Sequence, residues 1–78
     1  MLIRSQDKTI LMDCDFFKVE ENNDKFEVIT LSQSGIKISL GIYTTKDKAL
    51  EVLSDIQEYY KRPYSEAFQI PYNEDVEI

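Results

Sequence analysis

The chain has 78 residues, of which 42% are hydrophobic, 31% charged and 12% aromatic, with only two Gly and two Pro. That apolar content excludes a disordered chain, and so few Gly and Pro exclude a linker or low-complexity segment. The net charge of −6 argues against duplex nucleic acid as a partner, since such binding rests on a surplus of phosphate-neutralising Lys and Arg.

In chain order, Leu2-Ile3-Arg4-Ser5 reads as a first strand and Gln6-Asp7-Lys8 as a turn. Residues 9–14 give a second strand, with Ile10, Met12 and Cys14 on one face at period two. Phe16 to Glu20 is a third strand, and Glu21-Asn22-Asn23-Asp24 is a polar reverse turn in which Asn and Asp tolerate left-handed geometry. Lys25 to Ser32 is a fourth strand whose pattern changes phase, Phe26 and Val28 facing one way and Ile29 and Leu31 the other. Either a β-bulge or burial on both faces accounts for that shift. After Ser34-Gly35, the residues Ile36, Ile38, Leu40 and Ile42 alternate with Lys37, Ser39, Gly41 and Tyr43, which predicts a strand with the first set buried.

Thr44-Thr45-Lys46-Asp47 then resembles a helix capping box. Ala49, Leu50, Val52, Leu53, Ile56 and Tyr60 form an apolar stripe at helical spacing, Lys61 and Arg62 suit the carboxyl end, and Pro63 stops the helix. The expected fold is α+β: an antiparallel sheet of four to five strands packed against one C-terminal helix, with an extended acidic tail. Residues 1–62 form the domain, with nine basic against eleven acidic groups. Residues 63–78 add Glu66, Glu74, Asp75 and Glu77 with no basic residue. Because Tyr64, Phe68, Ile70 and Tyr72 are too apolar for a solvated tail, this segment is expected to dock on its own domain or on a partner subunit.

The chemistry on offer is narrow. Without His there is no Ser-His or Cys-His nucleophile pair and no imidazole metal ligand. Cys14, the single cysteine, forms no disulfide within the chain, reads as a small buried hydrophobe, and fits a reduced cytoplasmic setting. Asp13 and Asp15 flank it on one strand face and read as exposed carboxylates rather than a catalytic pair. No apolar run reaches the roughly 18 residues a membrane span needs, and the start turns polar too early for a secretory signal. No cofactor or metal is expected, and the chain is expected not to be an enzyme.

Two places suit binding. Arg4, Ser5, Gln6 and Lys8 combine a planar cationic fork, two groups that donate or accept, and a point charge, a set able to grip an anion such as a nucleotide. The plainer reading of the same stretch is a solvated turn with an Arg4–Asp7 pair. Tyr59, Tyr60, Tyr64, Phe68 and Tyr72, with Gln69, form either a stacking platform, a protein interface, or the completion of a small core.

Three stretches together carry a resemblance. They are Ile3-Arg4-Ser5-Gln6-Asp7-Lys8, then Leu40-Gly41-Ile42-Tyr43-Thr44-Thr45-Lys46-Asp47-Lys48-Ala49 running into Val52-Leu53-Ser54-Asp55-Ile56-Gln57, and Phe68-Gln69-Ile70-Pro71 with an acidic ending. The chain resembles a family of short proteins of low-GC Gram-positive bacteria, their phages and mobile elements. The resemblance implies a small cytoplasmic protein acting by stoichiometric binding, as counter-defence factors do. The expected function is a non-enzymatic homo-oligomer that sequesters a nucleotide-like anionic immune signal. Arg4 and Lys8 would meet phosphate, Ser5, Gln6 and Gln69 would hydrogen-bond, and Tyr64 or Phe68 would stack. The alternative is an acidic protein-interaction inhibitor that covers a host protein.

Overall fold

A computed structural model describes residues 1–62 and 66–78. Six strands, one α-helix and a short 3₁₀ turn follow one another: β1 (Leu2–Arg4), β2 (Leu11–Asp13), β3 (Lys18–Asn22), β4 (Lys25–Leu31), β5 (Lys37–Tyr43), α1 (Lys46–Tyr60), β6 (Phe68–Gln69) and the turn Asn73–Asp75. The class is α+β with one helix, as the sequence predicts. The strands divide into two three-stranded sheets, ordered β2-β1-β6 and β3-β4-β5. β1 pairs antiparallel with β2 but parallel with β6, so Ile3 lies beside Phe68 and Arg4 beside Gln69.

Local chemistry sets the turns. Asn23 and Asp24 both take positive φ, the geometry of a two-residue hairpin loop whose twist matches the strands it joins. Gly35, at φ 82°, closes the β4–β5 hairpin, with its N–H on Ser32 O at 2.9 Å. Thr45 caps α1, its hydroxyl accepting the Lys48 N–H at 3.2 Å.

The phase change in β4 comes from burial on both of its faces, whereas the bulge beside it lies in β5. The β4–β5 register slips between Val28 and Ile29, which face Gly41 and Ser39, so Leu40 is the extra residue of a bulge. Val28, Ile29 and Thr30 are also buried in succession, covered from both sides. The bulge corrects the expectation for β5. Beyond Leu40 the parity inverts, so Ile42 is exposed and Tyr43 is fully buried, and Ile36 lies outside the strand in solvent. One extra residue moves every following side chain to the opposite face.

The core sits between the sheets and the helix. Ile3, Val28, Leu40, Tyr43, Ala49, Val52, Ile56 and Ile70 are all buried, and each large aliphatic side chain withdrawn from water contributes about 1.5–3 kcal/mol. On the helix the buried stripe is Ala49, Val52 and Ile56, whereas Leu50 and Tyr60 are exposed. Cys14 is buried, in keeping with its alternation with Met12, and burial raises its thiol pKa. Among the described residues, no helix is long and apolar enough to cross a membrane.

Candidate binding face

The turn after β1 is built by Ser5. Its N–H donates to Ile10 O at 2.9 Å, continuing the β1–β2 ladder, but its hydroxyl rather than its carbonyl takes the Ile10 N–H, at 3.1 Å. The carbonyl so released accepts Lys8 N–H and the Gln69 side-chain amide, both at 2.9 Å. Asp7 Oδ1 collects the Ser5 hydroxyl at 2.8 Å, the Thr9 hydroxyl at 2.7 Å and the Thr9 N–H at 3.0 Å. Those donors, Thr9 foremost, hold the Asp7 carboxyl below its ordinary pKa. Lys8 takes the left-handed conformation at φ 68° and sets its ammonium 5.8 Å from the centre of the Tyr72 ring.

Gln6 joins the two sheets. Its N–H bonds Leu40 O at 2.7 Å, while its side-chain amide accepts from Ile42 N–H at 3.1 Å and donates to Ile42 O at 3.2 Å. The same amide also donates to Pro71 O at 3.1 Å, and Tyr43 Oη gives Pro71 O a second bond at 2.7 Å. Ile70 N–H reaches Arg4 O at 3.0 Å, and the Gln69 amide donates to its neighbour Ile70 O at 2.9 Å. Past Pro71, Asn73 accepts the Thr44 N–H at 2.9 Å through its side chain and the Lys48 ammonium at 3.0 Å through its carbonyl.

The sequence-predicted binding set therefore separates. Ser5 is buried, and both amide hydrogens of Gln6 and both of Gln69 are bound to the chain's own carbonyls. These residues are engaged with their own chain, and their bonds fasten residues 68–71 to the body. Phe68 is half-buried on the inner side of its sheet, edge-on to Tyr59 with ring centres 5.2 Å apart, which places it in packing rather than on an open stacking platform. Tyr64 lies outside the described residues. The Arg4–Asp7 pair does not form either; Asp7 Oδ1 turns instead to Ser5 and Thr9.

What remains exposed is a face. Pairing in register puts Leu2 and Arg4 of β1, Leu11 and Asp13 of β2 and Gln69 of β6 on the outer side of one sheet. Leu2 is 43% and Leu11 56% exposed. The Arg4 guanidinium beside them makes no hydrogen bond or ion pair among the described residues. Asp13 holds the amino terminus at 2.5 Å, with Asp15 at 3.8 Å, and this contact raises the terminal amine's pKa. Sequence reasoning missed Leu2 and Leu11. Their signal was present, since each occupies the alternate position to a core-facing Ile3 or Met12.

Hollows flank this sheet. One of about 280 Å³ is lined by Met1, Cys14, Phe17, Leu53, Ile56 and Tyr60, and another of about 190 Å³ by Gln6, Asp7, Ser39 and Ile42 among others. Neither includes Arg4 or Lys8. No cluster of three or more metal-ligating side chains occurs among the described residues. Comparison with family models, with curated proteins and with solved structures finds no match.

Proposed function

We propose that this chain is a non-enzymatic binding protein that covers a partner protein, with the outer face of the β2-β1-β6 sheet as its contact surface. The observation that carries this reading is the row of Leu2, Arg4 and Leu11, open to water on a face that no element of the described chain covers. Leucines flanking a guanidinium that is unpaired among the described residues supply apolar area to withdraw from water beside an arginine, a residue enriched where proteins meet and able to bond a planar acceptor. An enclosed anionic ligand is favoured less. It needs several convergent polar groups, and Ser5, Gln6 and Gln69 are engaged with their own chain. The net charge of −6 selects a partner whose contact surface is apolar at its centre and basic at its rim.

The test is capture from an extract of a low-GC Gram-positive bacterium on the immobilised protein, with two variants alongside. The same captured protein should bind wild type and Ile36→Glu, which alters an exposed side chain away from the face, and should be lost from Leu2→Glu/Leu11→Glu. Retention by the face variant, with a melting temperature near wild type, overturns the reading. So does calorimetric binding of a cyclic nucleotide that Arg4→Ala abolishes, which would return the site to an anionic ligand.

A further inference from the structure

Among the described residues, β2 has β1 on one side and no strand on the other. The antiparallel ladder fixes which of its groups point outward. Ser5 N–H bonds Ile10 O and Cys14 N–H bonds Met1 O, so Ile10, Met12 and Cys14 face β1. By the alternation of an antiparallel pair, the N–H and C=O of Leu11 and Asp13 point away from it. A groove of about 260 Å³, lined by Met12, Asp13, Asp15, Phe16, Leu31 and Ser32 among others, lies beside this edge.

We propose that β2 pairs antiparallel with β2 of a second copy of this chain, about a twofold axis at Met12. This goes beyond the covering of a partner protein and does not depend on it. Rotation about Met12 sets Leu11 of one copy against Asp13 of the other, and each such pair exchanges two main-chain hydrogen bonds. The register is therefore self-complementary, the condition a twofold interface imposes. Side chains agree with the backbone. On the outer face the order across the junction becomes Arg4, Leu11, then the second copy's Asp13, so a free guanidinium extends over a leucine toward a carboxylate that is 79% exposed. No like charges stand directly opposite each other in this register, whereas a slip of two residues one way would oppose Asp13 to Asp13, and the other way would oppose Leu11 to Leu11 and leave Arg4 without a carboxylate across the junction. On the inner face the two Met12 side chains meet beside Phe16 and Leu31. The product is a six-stranded sheet in the order β6-β1-β2-β2-β1-β6, which removes the open edge that an isolated chain leaves.

Sedimentation equilibrium on the full chain tests this. Wild type should approach twice the 9.2 kDa of one chain as concentration rises through the micromolar range. Leu11→Pro deletes only an outward N–H, a position where an edge strand tolerates proline, and should weaken association by at least about tenfold. Should that variant unfold, charge reversal decides: Arg4→Glu and Asp13→Lys should each weaken self-association, and the double variant should recover it. A wild type that stays monomeric to millimolar concentration overturns the proposal. A dimer unaffected by Leu11→Pro, or single charge reversals that leave association unchanged, overturn it as well. Loss of the dimer with capture of a partner protein unchanged would separate this proposal from the covering function.

Discussion

The side-chain amide of Gln6 pairs with the main chain of Ile42 as another strand residue would, accepting its N–H at 3.1 Å and donating to its C=O at 3.2 Å. A side chain thus stands in for backbone where β5 would otherwise present a bare edge to the turn after β1. The second amide hydrogen, on Pro71 O, ties the same point to the tail. Three segments remote in sequence meet on one residue.

Replacing Gln6 by Ala should therefore destabilise the protein by about 2–3 kcal/mol, since three hydrogen bonds are lost and the Ile42 and Pro71 groups must find water. Urea denaturation followed by circular dichroism measures this. Equal stability of wild type and variant would mean that the joint carries no net free energy.

Gly41 makes a second prediction. A Cβ there would lie 2.8 Å from Ile70 Cγ2 and 3.1 Å from Tyr43 Oη. Gly41→Ala should cost about 1–3 kcal/mol by overpacking. Ile70→Ala, which opens a cavity under a buried side chain, should cost about 2–5 kcal/mol alone. Together they should cost less than their sum, because each relieves the other. A double-mutant cycle shows whether the coupling has that sign.

Thr30 is fully buried, and its hydroxyl lies against the Cys14 thiol without meeting a hydrogen-bond partner among the described residues. Thr30→Val keeps the shape and removes the stranded hydroxyl, so it should stabilise by about 1 kcal/mol. A lower melting temperature in the variant would refute this.

The pH profile follows from Asp7 and Glu20. Hydrogen bonds from Thr9 and Ser5 depress the Asp7 pKa below 3.8, and bonds from Lys37 and Lys18 depress that of Glu20 below 4.5. Depressed folded values mean that the unfolded chain binds protons first on acidification. The stabilisation is thus complete above the unfolded values and is lost as pH falls through the folded ones. Asp7→Asn should lessen the fall in melting temperature between neutral pH and pH 3. An unchanged slope would assign acid sensitivity to other carboxylates.

The helix, the hairpins and the burial of Cys14 were legible from local composition and spacing, although the capping box read from Thr44 starts one residue early, since Thr45 is the residue that caps α1. The orientation of Ile42 and Tyr43 was not, since the bulge at Leu40 depends on register against β4, which alternation alone does not encode. Ser5, Gln6 and Gln69 illustrate a different limit. Polar residues near a strand end have the same composition whether they await a ligand or bind their own backbone. Only the return of residues 68–71 to β1 distinguishes the two. The same return accounts for Gly41, whose missing side chain makes room for Ile70, and for Tyr43 and Gln6, which bond Pro71 O.

The central place of β1 has a kinetic corollary. Its neighbours are β2 on one side and β6 on the other, so Ile3 waits for Phe68 across nearly the whole length of the chain. During synthesis the hairpin of β3 and β4 can zip as soon as it emerges, while the first strand keeps one flank bare until residue 70 has cleared the ribosome. A polypeptide arrested before that point would lack the Ile70 wedge and offer its unpaired edge to chaperones and proteases, making the arrival of residues 68–70 the step that commits this fold to its native form.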